Sequence, residues 1–165
     1  MLNENRIALS SVRLEQAKED LETASENLSA GRYKAANNRA YYAVFTAIRA
    51  VLALDAVDFK KHGSVINYFS KNYIRTGMVD EEFEMIVRVA SKSRKRSDYE
   101  DYYKPAKEEV EDNIDGAGKL LAAIERLIEV RLEVESVQEC PELCSVQPDC
   151  EQAEESVEDE EDMEQ

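Results

Sequence analysis

Residues 94–99 read Arg-Lys-Arg-Ser-Asp-Tyr and continue into Glu100, Asp101, Tyr102 and Tyr103. A guanidinium matches the planar geometry of phosphate oxygens, and a tyrosine ring stacks on an unpaired base. The run therefore offers an RNA-contacting patch. Because its signs are mixed, it equally offers a hydrogen-bonded tie between helices, or simply a solvated basic face. A second group is Asn38-Arg39-Ala40-Tyr41-Tyr42-Ala43-Val44-Phe45. Arg39 and Tyr42, three apart, share a helical edge while Tyr41 and Phe45 turn inward. The plainer alternative is aromatic packing, with the arginine stem lying along the surface and its head in water. The third is His62, the single histidine, preceded by Lys60 and Lys61. It reads as a surface or capping residue, or as an acid–base group if another motif meets it in space.

Other chemistry lacks its residues. There is no GxxxxGK or GxGxxG phosphate loop and no paired CxxC, and one histidine gives a metal no imidazole partner. Cys140, Cys144 and Cys150 are loosely spaced around Pro141 and Pro148, so they read as free thiols. No metal and no cofactor is expected.

These groups need helices to position them. The chain holds 165 residues with only five Gly and three Pro, a scarcity that favours long helices over turn-rich strands. Ile7, Leu14, Ala17, Leu21, Ala24 and Leu28 mark one face of a helix over 5–29, with Gly31 as its C-cap. A second helix over 32–54 carries Tyr41, Phe45, Ile48 and Leu52, with Ala36, Ala40, Ala43 and Ala47 allowing close approach. Residues 55–61 form a loop. A short third helix runs from Gly63 or Ser64 to near Tyr73, with Val65, Ile66 and Phe69 inward. Asp80 is the expected N-cap of a fourth, which buries Phe83, Ile86, Val87 and Ala90. Residues 97–104 lack clean periodicity and are expected as a loop or irregular helix end. Pro105 suits the first turn of a fifth helix carrying Val110, Ile114, Ala117, Leu121, Ile124 and Ile128. The sum is an all-α, antiparallel four-helix-type bundle with an additional short helix.

Charge divides the chain. Residues 136–165 hold 12 Asp and Glu and no Lys or Arg, whereas residues 1–135 hold 24 acids and 21 bases, a net of -3. Two regions are thus expected: a bundle over 1–135 and an acidic disordered tail over 136–165. With neither a leader-like nor a membrane-spanning apolar run, a cytoplasmic protein is expected.

Taken in order, Gly31-Arg32-Tyr33, residues 39–45, His62-Gly63-Ser64-Val65, Arg94 and Ser97-Asp98-Tyr99 resemble the HEPN domain superfamily. The likeness is to its branch of small prokaryotic proteins associated with nucleotidyltransferases, and it covers residues 5–130. The resemblance implies a helical bundle that forms a homodimer. Catalytic members are metal-independent RNases that use an arginine a few residues ahead of a histidine. Arg94 matches that arginine, but Tyr99 stands where the imidazole is expected. In some HEPN toxins a partner nucleotidyltransferase modifies a tyrosine two places after that histidine. Asp101 occupies that place here, with Tyr99, Tyr102 and Tyr103 near it.

The leading expectation is therefore a binding module, toxin–antitoxin related, that docks RNA, a nucleotide or a nucleotidyltransferase through Arg39, Tyr42, Arg94 and Arg96. The enzymatic alternative is an RNase in which Arg94 stabilises phosphorane charge, Asp98 positions or takes a proton, and His62 or Tyr99 assists. The third alternative makes the cluster purely structural.

Overall fold

The computed structural model describes residues 3–138. The acidic segment 139–165, with Cys140, Cys144, Cys150 and the expected disorder, lies outside the described residues. Helix α1 spans Glu4–Ser29, α2 Tyr33–Leu54, α3 His62–Phe69, α4 Glu82–Tyr99 and α5 Lys107–Gln138. There is no strand among the described residues, so the expected all-α bundle with one short extra helix is what forms. No helix among them is long and apolar enough to cross a membrane.

Helix α1 starts at Asn3, whose side chain accepts from the Asn5 N–H at 2.8 Å. It stops at Gly31, where φ is 72°. The Gly31 and Arg32 N–H groups return to the carbonyls of Leu28 and Asn27, which satisfies two of the helix's last acceptors. This short turn folds α2 back along α1, the most extensive packing in the molecule.

Helix α2 is the centre. It packs against α1, α3, α4 and α5, and it buries residues around most of its circumference. Its sequence explains this: alanines at 36, 40, 43, 47 and 50 bring neighbouring backbones close, while Ile48, Val51 and Leu52 fill the space between them. Each such large side chain taken from water contributes about 1.5–3 kcal/mol. Helix α4 meets α5 tightly at Gly116, where an added Cβ would lie 3.2 Å from Ile86 Cγ2.

Several local details differ from the sequence reading. Helix α3 does not end cleanly but continues as a π-type turn over Ser70–Ile74. Asp80 gives no side-chain cap; Glu81 holds the N-cap position, and the Asp80 carbonyl accepts from the Phe83 N–H. Helix α4 runs on to Tyr99 rather than fraying at Ser97. The mixed charges that blur its periodicity are i,i+4 partners, Arg94 with Asp98 and Arg96 with Glu100. Pro105 lies just ahead of α5 rather than within it, and α5 continues three residues past the expected boundary.

A polar chain crosses the core between α2, α4 and α5. Asn113 donates to Asn37 Oδ1 at 2.9 Å and to Ser93 Oγ at 3.2 Å. Ser93 donates to Glu109 at 3.0 Å, and the Tyr103 hydroxyl donates to the same carboxylate oxygen.

Candidate nucleic-acid interface

The loop over residues 55–61 decides where His62 lies. Arg13 and Arg49 both bind the Asp58 carboxylate, at 3.0 and 3.1 Å, so the loop is tied to α1 and α2. The ring at the start of α3 is thereby laid on α2. His62 stacks on Phe45 with centroids 4.2 Å apart and planes 9° from parallel. Its Nδ1 stands 2.8 Å from the Tyr41 hydroxyl. Tyr41 and Phe45, one turn apart on α2, are the two supports of this ring.

Helix α4 brings Arg94 to the same place. Its guanidinium lies 5.6 Å above the Tyr41 ring, and Tyr42 stands edge-on to Tyr41 at 5.5 Å. Arg94 Nε is 2.9 Å from Asp98 Oδ2, yet its N–H has no hydrogen-bond acceptor. The separation and the angle thus point different ways, and the angle decides: the contact is coulombic. The other Asp98 oxygen accepts from Asn38 Nδ2 at 3.1 Å. Ser97 Oγ, beside Asp98 in sequence, and Asn38 Oδ1, on its amide partner, are buried without hydrogen-bond partners. The surroundings of Arg94 therefore hold unspent donors and acceptors.

The electrostatics follow from this packing. Burial pushes the Tyr41 hydroxyl up to about 12, against a downward pull from the Arg94 charge. His62 keeps an open edge to solvent, but water is excluded from the ring face on Phe45. That loss lowers its pKa first, and the positive charges of Arg94 and Arg49 lower it further. The imidazole is mostly neutral at pH 7, and its Nδ1 shares a hydrogen bond with the Tyr41 hydroxyl in which either group donates according to the tautomer. Desolvation works against the Arg94 charge, but Asp98 and the Tyr42 hydroxyl outweigh it, and its pKa is raised.

Arg39 extends this face. It pairs with Asp20 at 3.0 Å and covers the Tyr42 ring at 4.9 Å. Burial holds the Asp20 carboxyl above its ordinary value, although Arg39 pulls it down. The other two candidates stand elsewhere. Arg96 lies 3.9 Å over Tyr103 and pairs with Glu100 at 3.4 Å. Tyr99 is 79% exposed. The structure thus unites Arg39, Tyr42, Arg94, Asp98 and His62 and leaves Arg96 and Tyr99 outside. Sequence reasoning missed Asn38 as the second partner of Asp98, and Phe45 as the bed of His62. The i,i+4 spacing of Tyr41 and Phe45 was the available signal. No grouping of three or more metal-ligating side chains occurs among the described residues.

The HEPN domain family model matches residues 10–127. The chain belongs to the HEPN family. A UPF0332 protein of Thermotoga maritima is 35% identical over 114 residues, covering 69% of this chain and 86% of that one. A Methanocaldococcus jannaschii protein named "Putative toxin MJ0142" is 35% identical over 99 residues, covering 59% of this chain and 67% of its own. The crystal structure of TT1696 from Thermus thermophilus superposes with a TM-score of 0.61 at 23% identity, over 72% of this chain and 97% of that one. ST0689, an archaeal HEPN homologue, gives 0.54 at 19% identity over the same shares. At such identities the two structures speak for the HEPN fold alone.

Proposed function

We propose that this HEPN protein is a toxin-related RNA-binding module whose Arg94 face takes the phosphate of a single-stranded RNA. The observation that carries the reading is the meeting of Arg94, on α4, with the Tyr41–His62 pair, which joins α2 to α3. Two motifs 32 residues apart in sequence form one cationic and aromatic face with unspent hydrogen-bonding groups. Binding is favoured over catalysis by Asp98, because one of its oxygens faces Arg94 and the other accepts from Asn38. Such a carboxylate is an anchor for the guanidinium rather than a free base. In this reading the protein works as a homodimer, and a nucleotidyltransferase is a partner that meets the same surface.

Anisotropy titration of a fluorescent single-stranded RNA in EDTA tests the reading. Arg94→Ala is expected to weaken binding by roughly tenfold or more, the effect of one charge-assisted contact of about 1.5–3 kcal/mol. Lys107→Ala, at the far start of α5, is expected to leave binding unchanged. Wild-type affinity in Arg94→Ala would refute the site. A metal-independent RNase is the second reading, favoured by one observation: the His62 imidazole and the Arg94 guanidinium meet on the same Tyr41 side chain, an acid–base group beside a phosphate-binding one. RNA cleavage in EDTA that disappears in His62→Ala would establish it in place of the first.

A further inference from the structure

Between α3 with its π turn and α4 lies a groove of about 640 Å³. Its floor is aliphatic and aromatic, made by Ile66, Phe69, Ile74 and Val87. Lys71, Arg75, Arg88, Lys92 and Lys95 stand around it against one carboxylate, Glu84. Five arginines elsewhere, Arg13, Arg39, Arg49, Arg94 and Arg131, each hold a carboxylate within 3.1 Å. None of the five groove cations has an ion pair among the described residues, and Arg88 reaches only the Met85 sulfur. Five like charges around an apolar trough repel one another. An anionic ligand with apolar side chains relieves that repulsion and covers the floor at once.

We propose that this groove is the docking site of the chain's own acidic segment, residues 154–164. That segment holds eight Asp and Glu within eleven residues, with Val157 and Met163 among them. Its composition complements both parts of the groove: carboxylates for the five cations and two apolar side chains for the floor. The path is short. Near its C-terminal end α5 places Arg131 Nη1 2.8 Å from the Tyr73 hydroxyl, and Tyr73 adjoins Ile74 and Arg75 on the groove wall. Glu154 lies sixteen residues beyond Gln138, and sixteen residues with coil statistics span roughly 20–24 Å. Tethering at this distance gives the segment an effective concentration on the order of millimolar, so even weak contacts fill the groove. The proposal stands independently of RNA binding, because Arg94 faces Tyr41 while Lys92 and Lys95 face the groove.

The test uses the full-length chain, with Cys140→Ser and Cys144→Ser, and a nitroxide on Cys150, four residues before Glu154. Amide resonances of residues 63–75 and 84–95 are expected to lose intensity relative to the reduced label. The loss should recede at least about twofold at roughly 1 M salt, where the Debye length falls to about 3 Å. Lys92→Glu with Lys95→Glu, both exposed positions, is expected to release the segment at low salt. Broadening that is absent or evenly spread over the bundle overturns the proposal. Broadening found only when label and isotope are on different molecules overturns it in favour of a second copy. Groove resonances that respond to a single-stranded oligonucleotide but not to the label overturn it in favour of nucleic acid.

Discussion

Truncating Arg94 separates a binding residue from a structural tie, because the geometry fixes how much stability it can hold. The Arg94–Asp98 pair is an i,i+4 contact at 2.9 Å with side chains 24% and 28% exposed. Partly exposed pairs of this kind contribute about 0.3–1 kcal/mol. The guanidinium over Tyr41 adds about 0.5–1 kcal/mol, and Arg94 lies outside the last turn of α4, where the helix dipole adds little. Arg94→Ala is therefore expected to lower unfolding free energy by about 1–2 kcal/mol. Asp98→Ala is expected to cost a similar amount, roughly 1–2 kcal/mol, because it also loses the hydrogen bond from Asn38. The double variant should fall short of the sum by about 0.5 kcal/mol, the coupling of the pair. Urea unfolding of the four proteins at pH 7 measures all three quantities. A fully buried pair would behave otherwise: removing one partner costs roughly 3–5 kcal/mol. A loss of that size in Arg94→Ala, restored by adding Asp98→Ala, would refute the reasoning and make the cluster a structural tie.

His62 should titrate below the roughly 6.5 of an ordinary imidazole. Above that pH it is neutral folded or unfolded; as pH falls through it towards the lower folded value, the unfolded chain takes the proton first and stability declines. His62→Gln should remove that part of the slope, and an imidazole NMR titration at or above the free value would contradict it. Ala56, with φ of 58°, sits where an L side chain costs roughly 1–2 kcal/mol; against the roughly 0.5–1 kcal/mol flexibility cost of glycine, Ala56→Gly should raise the melting midpoint slightly, and a lower one would count against it. Arg131 holds both Asp55, at 2.9 Å, and the Tyr73 hydroxyl, so Arg131→Met should cost about 1–3 kcal/mol and more than Tyr73→Phe in the same urea assay; the reverse order would show that Asp55 needs only Tyr73. Sedimentation equilibrium at micromolar protein is expected to give twice the 18.8 kDa chain mass; monomer mass alone would remove the homodimer from the proposed function.

Much of the bundle is legible in the sequence because its stripes are regular. Tyr41, Ile48 and Leu52 are buried as their spacing requires, and α2 starts within one residue of its expected position. Ends were harder. The π-type turn after Phe69 and the left-handed Ala56 carry no glycine or proline to announce them, and Asp80 looks like a cap but is not one. At the candidate site, Arg39, Tyr42, Arg94, Asp98 and His62 stood out by type. Their union did not, because it depends on the loop tied through Asp58, and no local pattern states where a loop sets down the next helix. Arg96 and Tyr99 lie apart from this group for a simpler reason: neighbours in a helical sequence point about 100° or more apart around the axis.

The polar chain from Asn37 through Asn113 to Glu109 fixes the phase of the helices. Apolar stripes of Ala, Ile and Leu would mate almost as well after α5 slid by one turn, about 5.4 Å along its axis. Such a slide would carry Asn113 away from Asn37 and Ser93 and leave several buried amides and hydroxyls bare, each at a cost of roughly 1–3 kcal/mol. Grease alone permits many alignments of these rods; one row of amides admits a single one. Glu109 and Tyr103 close the row, so the start of α5 is keyed to the end of α4. The Arg94 face consequently inherits its shape from a contact made by its sequence neighbour Ser93, about 100° around the helix that bears both.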